Sequence, residues 1–161
     1  AARKSKGAFY GEMAAEMEAL AAVQADVGAA ALAQAAKAMQ LAFDFLTVQR
    51  LTKQQYLMFQ LADMTTALEV GMALSRKAAS AQNDGAADAT VLAAAARIFS
   101  ADTAQLFARS LRTLAQGTGL VDAEAAEAFL TSAGAAQLAM AGAGVVTDMD
   151  TIADLLFGRA S

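Results

Sequence analysis

Apolar residues recur at helical spacing along most of this chain, and the clearest case lies just before its midpoint. Leu57, Leu61, Met64 and Leu68 are separated by four, three and four residues. At 3.6 residues per turn these side chains fall on one stripe of a helix. The pattern predicts one long amphipathic helix over about residues 52–80.

Two apolar stripes precede this helix, and they are offset from each other by about one position. The offset falls at residues 26–28, where Gly28 also weakens a helix interior by about 1 kcal/mol relative to Ala. We therefore expect either one kinked helix or two helices with a short break. The stripes are Phe9, Met13, Met17, Leu20 and Val27, followed by Leu32, Met39, Phe43 and Leu46.

Capping and turn residues predict the other helix boundaries. Thr52 and Gln55 have the spacing of a capping box, and the polar run at residues 81–85 is typical of a turn. Asp88 and Asp122 are placed to begin helices, because a carboxylate accepts hydrogen bonds from the first free amides. The later helices are predicted to start at Asp88 and stop at residues 117–119, to span 123–140, and to span 148–157 before Gly158.

The composition agrees with long, uninterrupted helices. The 161 residues include no Pro, Cys, Trp or His, and Ala makes up more than a quarter of them. Ala is the best helix former and Pro the worst. The sequence therefore predicts an all-α fold in one domain over residues 1–161, an up-down helical bundle of four long helices plus one or two short ones.

The same composition limits the chemistry that the chain can carry. Without His or Cys, catalytic triads built on them, disulfides and the commonest metal ligands are excluded. We expect no catalytic and no metal-binding residues in the chain. The formal net charge of −4 argues against a nucleic-acid partner, which needs a basic face.

An uncharged run of 20 residues, 128–147, is long enough in principle to cross a bilayer. Its Thr, Ser, Gln and Gly residues make it only weakly apolar, so we expect a buried hairpin or an interfacial segment. Nearby, Asp148, Asp150 and Asp154 lack the glycine and terminal Glu of a calcium loop. We interpret them as acids near a helix N-terminus.

The helix at 52–80 contains Leu61-Ala62-Asp63-Met64, preceded by Gln55 and Gln60, and this signature resembles the C-terminal helical part of the acyl-CoA dehydrogenase family. The likeness is closest to the extra C-terminal domain of the very-long-chain subgroup, and it covers about residues 30–115. Supporting segments are residues 73–78, 94–98 and 144–147. The resemblance implies a domain that packs on the enzyme's dimer and takes part in membrane association, while FAD and acyl-CoA are held by preceding domains.

Departures from the family's catalytic pattern are as informative as the matches. The chain passes from Arg50 to Gln54 without room for the Arg-aromatic-Gly loop of catalytic members. Gln116-Gly117-Thr118-Gly119 is a shortened form of the flavin-contacting turn, and residues 155–161 contain no Glu-Gly-Thr segment to supply the base. Arg50, Gln116, Gly117 and Gly119 are therefore cofactor-binding candidates only if the chain is a divergent catalytic bundle.

Three functions follow from these observations. The first is a non-catalytic C-terminal domain of an acyl-CoA dehydrogenase-like oxidoreductase of fatty acid metabolism, with FAD in the parent enzyme and none in this chain alone. Its partners would be preceding flavin-binding domains or sister subunits in a homo-oligomer. The second is a freestanding Ala-rich bundle that binds a lipid surface or partner helices, and the third is the divergent catalytic bundle. We expect a cytoplasmic protein, with peripheral membrane contact as an alternative.

Overall fold

The chain folds into helices joined by short loops. A computed structural model describes residues 2–158, with side chains from Ala8 onward. The all-α prediction is confirmed, but three short helices follow the four long ones in the described range, where one or two were predicted. The helices are α1 Ala2–Val23, α2 Ala29–Val48, α3 Gln55–Asn83, α4 Ala89–Gln116, α5 Ala123–Ser132, α6 Ala135–Ala139 and α7 Val145–Phe157.

Side-chain contacts fix the directions of the four long helices. Tyr10, near the start of α1, stacks on Phe43, near the end of α2, with ring centroids 5.5 Å apart. Ser110, near the end of α4, donates a 3.0 Å hydrogen bond to Gln60, near the start of α3. Helices α1 and α2 therefore form one antiparallel hairpin, and α3 and α4 form another, as the predicted up-down topology requires.

The core combines small and large apolar side chains. Fully buried alanines on α2 let its neighbours approach closely, and larger residues fill the remaining volume. Five methionines help to fill this volume: Met13, Met17, Met39, Met64 and Met72 are buried. Phe9 was predicted on the core stripe but remains 49% exposed. The largest fully buried side chains include Met17, Leu32, Met39, Leu46, Met64, Leu68, Met72, Phe107, Leu111 and Leu114.

The break between α1 and α2 produces two helices rather than a kink. A single 3-10 turn, Ala25–Val27, is followed by Gly28 in the left-handed conformation at φ 76°. A Cβ at Gly28 would lie 2.3 Å from Ser100 Oγ on α4, so both backbone conformation and close packing require glycine. The buried Ser75 hydroxyl of α3 donates a 2.7 Å hydrogen bond to the Val27 carbonyl and holds the turn against the bundle.

Both predicted ends of α3 shift by about three residues. The capping-box prediction at Thr52 is wrong, because the N-cap is Gln54 and no side chain caps the helix. At the other end, α3 continues through the first three residues of the predicted turn, Ala81, Gln82 and Asn83. Gln24, just after α1, donates hydrogen bonds to the side chains of Gln82 and Asn83, at 3.4 and 3.1 Å. These contacts hold the last turn of α3 in helical form.

The predicted helix over residues 123–140 is interrupted. Asp122 caps α5 as expected, accepting a 2.8 Å hydrogen bond from the Ala125 amide. The chain then turns at Gly134, with φ 68°, where a Cβ would lie 2.5 Å from Gln34 Nε2 of α2. Gln34 donates to the Ala133 carbonyl at 3.1 Å. Gly134 in the left-handed conformation ends α5, and the close approach of Gln34 leaves no room for a side chain there.

The last helix begins three residues earlier than predicted, at Val145, directly after Gly144 in the left-handed conformation. Asp148 lies in its first turn, as expected for an acid near a helix N-terminus. The uncharged run at 128–147 is divided between the end of α5, α6 and the start of α7. Within residues 2–158, none of the helices combines the length and apolarity needed to cross a membrane.

Candidate functional site

Arg50 lies in the turn between α2 and α3, exposed and in the left-handed conformation at φ 57°. Its amide donates to the Thr47 carbonyl at 3.2 Å, and the Leu51 amide donates to the Leu46 carbonyl at 2.9 Å. These two bonds are the pattern of a Schellman motif, in which the residue after the C-cap adopts positive φ. Leu46 and Leu51 are both buried, so Arg50 has a clear structural role in ending α2.

The loop after α4 holds the other three candidates. Helix α4 ends at Gln116, as predicted, and the Gly117 amide donates to Thr113 O at 2.9 Å. The Gly119 amide donates to Gln116 O at 3.1 Å, and the Leu120 amide donates to the Thr118 hydroxyl at 3.2 Å. Three amides of this segment are thus already hydrogen-bonded, one to α4 and two within residues 116–120. They leave few free donors for a phosphate group, so the fit to a flavin pyrophosphate is poor.

The structure brings these two segments to the same end of the bundle. A cavity of about 310 Å³ opens between the start of α3 and the loop after α4. We call it the end cavity. Of the four candidates, Gly117 lines it, whereas Arg50, Gln116 and Gly119 do not. Its lining residues are Gln54, Tyr56, Leu57, Thr113, Gly117, Thr118 and Leu120, none of which is charged at neutral pH.

A larger open groove, of about 710 Å³, lies between α1 and α3. Phe9, Tyr10 and Phe43 form one wall, and the Tyr10 hydroxyl lies 3.3 Å from Thr65 Oγ1 of α3. Met58 and Leu61 of α3 contribute to the apolar lining. The sequence analysis missed this groove because it assigned Phe9 to the core. The one sequence signal that points to the groove is the pair of bulky aromatic residues, Phe9 and Tyr10, near the start of α1.

An ion pair that the sequence did not predict joins α7 to α4. Arg97 Nε lies 3.1 and 3.0 Å from the two carboxylate oxygens of Asp148, and Nη2 lies 2.6 Å from Oδ1. Arg97 Nη1 also donates to the Asp26 carbonyl at 2.6 Å. The hydrogen bond to Asp148 raises the pKa of Arg97 above its ordinary value, although burial acts in the opposite direction. The guanidinium therefore fastens α7 and the α1–α2 turn to α4.

The acidic side chains do not assemble a metal site. Within the described residues, no group of three or more acidic side chains is arranged to hold an ion. Of the predicted acidic triplet, Asp148 is paired with Arg97, whereas Asp150 is exposed on the outer side of α7. The neutral end cavity and the apolar groove offer shape and apolar contact, and neither is lined by a carboxylate that could transfer a proton.

The family model for the acyl-CoA dehydrogenase C-terminal domain matches residues 11–154, from the middle of α1 to the last turn of α7. The chain belongs to this family. Membership confirms the resemblance to the family, and it implies FAD in an enzyme that carries such a domain. The likeness to the very-long-chain subgroup stays a prediction. No curated protein and no solved structure matches the chain significantly. For this acyl-CoA dehydrogenase C-terminal domain, cofactor binding by Arg50, Gln116, Gly117 and Gly119 stays a prediction.

Proposed function

We propose that this acyl-CoA dehydrogenase C-terminal domain is non-catalytic and that it serves subunit packing or partner docking in a flavoenzyme. In this proposal FAD and acyl-CoA are held by preceding domains of a longer polypeptide. The domain's own contribution is a rigid helical body with exposed apolar surfaces that other domains or subunits can cover. A homo-oligomer is the assembly that we propose for the parent enzyme.

The observation that carries the proposal is the placement of the carboxylates. Oxidation of an acyl thioester begins with removal of the proton at the α-carbon, which requires a base within hydrogen-bond reach of it. Of four cavities in the described part of the chain, the end cavity and the open groove have no carboxylate in their lining, and each of the other two has one. Asp148 borders a cavity lined mainly by small apolar residues, but its carboxylate is committed to Arg97. Glu127 is exposed and lines a cavity at α5 together with Arg112. Because the first carboxylate is paired and the second is exposed to solvent, neither is suited to take a proton from an acyl chain held in an apolar channel.

The loop at residues 116–119 gives independent support. A flavin phosphate needs several amide donors pointing outward, and the loop uses those of Gly117 and Gly119 to close itself. Arg50 is held in the Schellman turn through its backbone. Backbone amides of both segments are thus used to close turns, which supports structural roles for these residues.

The first experiment is purification of the protein from its native source, with intact mass and flavin absorbance measured on the same sample. We expect a species much heavier than 16.4 kDa that contains flavin. Removal of the domain from that polypeptide should lower the number of subunits per particle while flavin per subunit is retained. A colourless species near 16.4 kDa would contradict the proposal and favour a freestanding binding module.

Variants of the candidate residues separate the proposal from the divergent catalytic bundle. Arg50→Ala and Gln116→Ala in the full polypeptide should each leave flavin per subunit unchanged. Lys77→Ala and Gln55→Ala are matched controls, because both side chains are exposed and lie outside the two candidate segments. Loss of flavin in either candidate variant, with flavin retained in both controls, would show that this domain contributes to the flavin site.

A further inference from the structure

The outer face of α7 carries an apolar stripe that no other part of the described chain covers. Val146, Met149, Ala153 and Leu156 are spaced by three, four and three residues, the spacing of a helix that packs against another helix. Val146 is 72% exposed, Met149 50% and Leu156 71%. Asp148, which binds Arg97 of α4, lies about 100° round the helix from Met149, on a different face. Helix α7 is thus anchored by one face and presents a second face ready for packing.

This stripe is flanked by negative charge. Asp150 and Asp154 follow it along one side, and Val145–Phe157 contains no Lys or Arg. An apolar stripe with acids at its border fits a partner surface that is apolar at its centre and basic at its border. We call Val146, Met149, Asp150, Ala153, Asp154 and Leu156 the α7 face.

A surface of this complementary kind lies at the other end of the same molecule. The end cavity is bordered by the exposed side chains of Tyr56 and Leu120, which are 64% and 69% exposed. Lys53 directly precedes its lining residue Gln54, and Arg109 lies one turn before Thr113 on the same face of α4. Both cations are exposed and make no ion pair within the described residues.

The acid closest in sequence to a lining residue of the end cavity is already engaged. Asp122 lies two residues after Leu120, and its carboxylate accepts the Ala125 amide at the N-terminus of α5. The helix dipole there offsets part of its charge. The charge close to the lining residues is therefore mainly positive, with Arg50 and Arg112 adding to that of Lys53 and Arg109. We call the end cavity with Lys53 and Arg109 the socket.

The α7 face cannot reach the socket of its own chain. Helix α7 is fastened to α4 at Arg97, whereas the socket lies at Thr113 of the same helix. Sixteen residues of helix separate these positions by about 24 Å, at about 1.5 Å per residue. Contact between the two surfaces must therefore join two molecules, either once in a head-to-tail pair or twice about a two-fold axis.

We propose that a second copy of this chain docks its α7 face on the socket at the opposite end of the first. The inference names a partner for the packing role proposed above and rests on it. Leu156 and Met149 enter the end cavity, while Asp150 and Asp154 face Lys53 and Arg109. Since this association is electrostatically assisted, salt weakens it.

Sedimentation velocity on the 161-residue chain tests this contact. The weight-average mass should rise with protein concentration at low salt. At about 1 M salt, where the Debye length is about 3 Å, the mass should fall back toward that of the monomer. Leu156→Asp should raise the dissociation constant at least tenfold. A chain that stays monomeric at every concentration in low salt would overturn the proposal.

Charge reversal distinguishes this contact from other modes of association. The double variant Asp150→Lys, Asp154→Lys and the double variant Lys53→Glu, Arg109→Glu should each be monomeric alone, and an equimolar mixture should associate again. Asp63→Lys with Glu69→Lys is the control, because it makes the same change in charge on exposed positions of α3. Association that survives both reversals, or a mixture that stays monomeric, would overturn the proposal. Neither pair of reversals touches Arg50 or Gln116, so the flavin test above can fail or succeed independently.

Discussion

The helical body, α1–α6, and the last helix, α7, are held by different interactions. In the body, helices bury alanine, leucine and methionine against one another, and Phe129 of α5 stacks on Phe45 of α2 with ring centroids 4.0 Å apart. Helix α7 is fastened to α4 by the ion pair of Arg97 with Asp148, and several of its apolar side chains are exposed. The body is built around the core, and α7 is attached to its surface.

The largest expected difference between the two regions comes from removing a leucine in each. Leu68→Ala in α3 should lower the free energy of unfolding by about 2 to 5 kcal/mol, because a fully buried side chain leaves a cavity. Leu156→Ala in α7 is the matched change at a side chain that is 71% exposed, and it should have almost no effect on the isolated chain. Chemical denaturation at low protein concentration measures both. Equal losses would contradict the division into core and attachment.

A glycine comparison tests the close packing of the body. Gly28→Ala should cost about 3 kcal/mol, since the new methyl group meets Ser100 and the backbone is in the left-handed conformation. Gly85→Ala, also at positive φ but with open space around it, should cost only about 1 kcal/mol. Thermal unfolding of the two variants measures the difference. Equal costs would show that the contact with α4 is unimportant.

The ion pair should control the attachment of α7. Asp148→Asn leaves Arg97 without its carboxylate, and we expect a loss of about 1 to 2 kcal/mol, less than for a fully buried pair because Arg97 keeps 33% of its side chain exposed. Hydrogen exchange should show loss of protection in α7 and little change in α1–α4. Asp150→Asn, on the exposed side of the same helix, is the control. Loss of protection spread over the whole bundle would show that α7 belongs to the core.

The smallest effect is expected from the surface pair between α1 and α3. Arg76 donates hydrogen bonds to both carboxylate oxygens of Glu16, at 2.5 and 3.0 Å, and these bonds lower the pKa of Glu16 below its ordinary value. Glu16→Gln should cost about 0.5 kcal/mol at neutral pH, because both side chains are about half exposed. A lowered pKa contributes stability above the unfolded-state value and loses it as the pH falls through the folded value. The loss of stability in Glu16→Gln, relative to the unsubstituted chain, should therefore shrink as the pH falls below 4.5, the ordinary pKa of a glutamate. A loss that grows there would refute the stabilising role of this ion pair.

The difference between buried apolar stripes and long-range polar contacts also explains which features could be predicted from the sequence. Helical spacing of Leu57, Leu61, Met64 and Leu68 identified α3, because these residues are buried by other long helices. The early end predicted for α3 failed because Gln24 holds Gln82 and Asn83 from a distance of more than fifty residues in sequence. Gln34 of α2 donates to the chain at the Gly134 break, and the position of α7 depends on Arg97. Local patterns do not contain such long-range polar contacts.

The candidate site was predictable only as a location. Arg50 and the loop at residues 116–119 were singled out in sequence, and the structure brings their segments to one end of the bundle. The end cavity itself was not predictable, because Tyr56 and Leu120 meet only after α3 and α4 have paired. The open groove was missed for a related reason. Helical spacing puts Phe9 on the core stripe, and only the packing of α1 beside α3 leaves it half exposed.

The two antiparallel hairpins have a consequence for how quickly the chain acquires its structure. Each pairs helices that are adjacent in sequence, so only a short loop must close before α1 meets α2 or α3 meets α4. Proteins dominated by such local contacts refold in microseconds to milliseconds. The chain also contains no proline, so the slow isomerisation that delays many refolding reactions by tens of seconds has no origin here. Stopped-flow refolding should therefore be complete within its first second, with no slow phase.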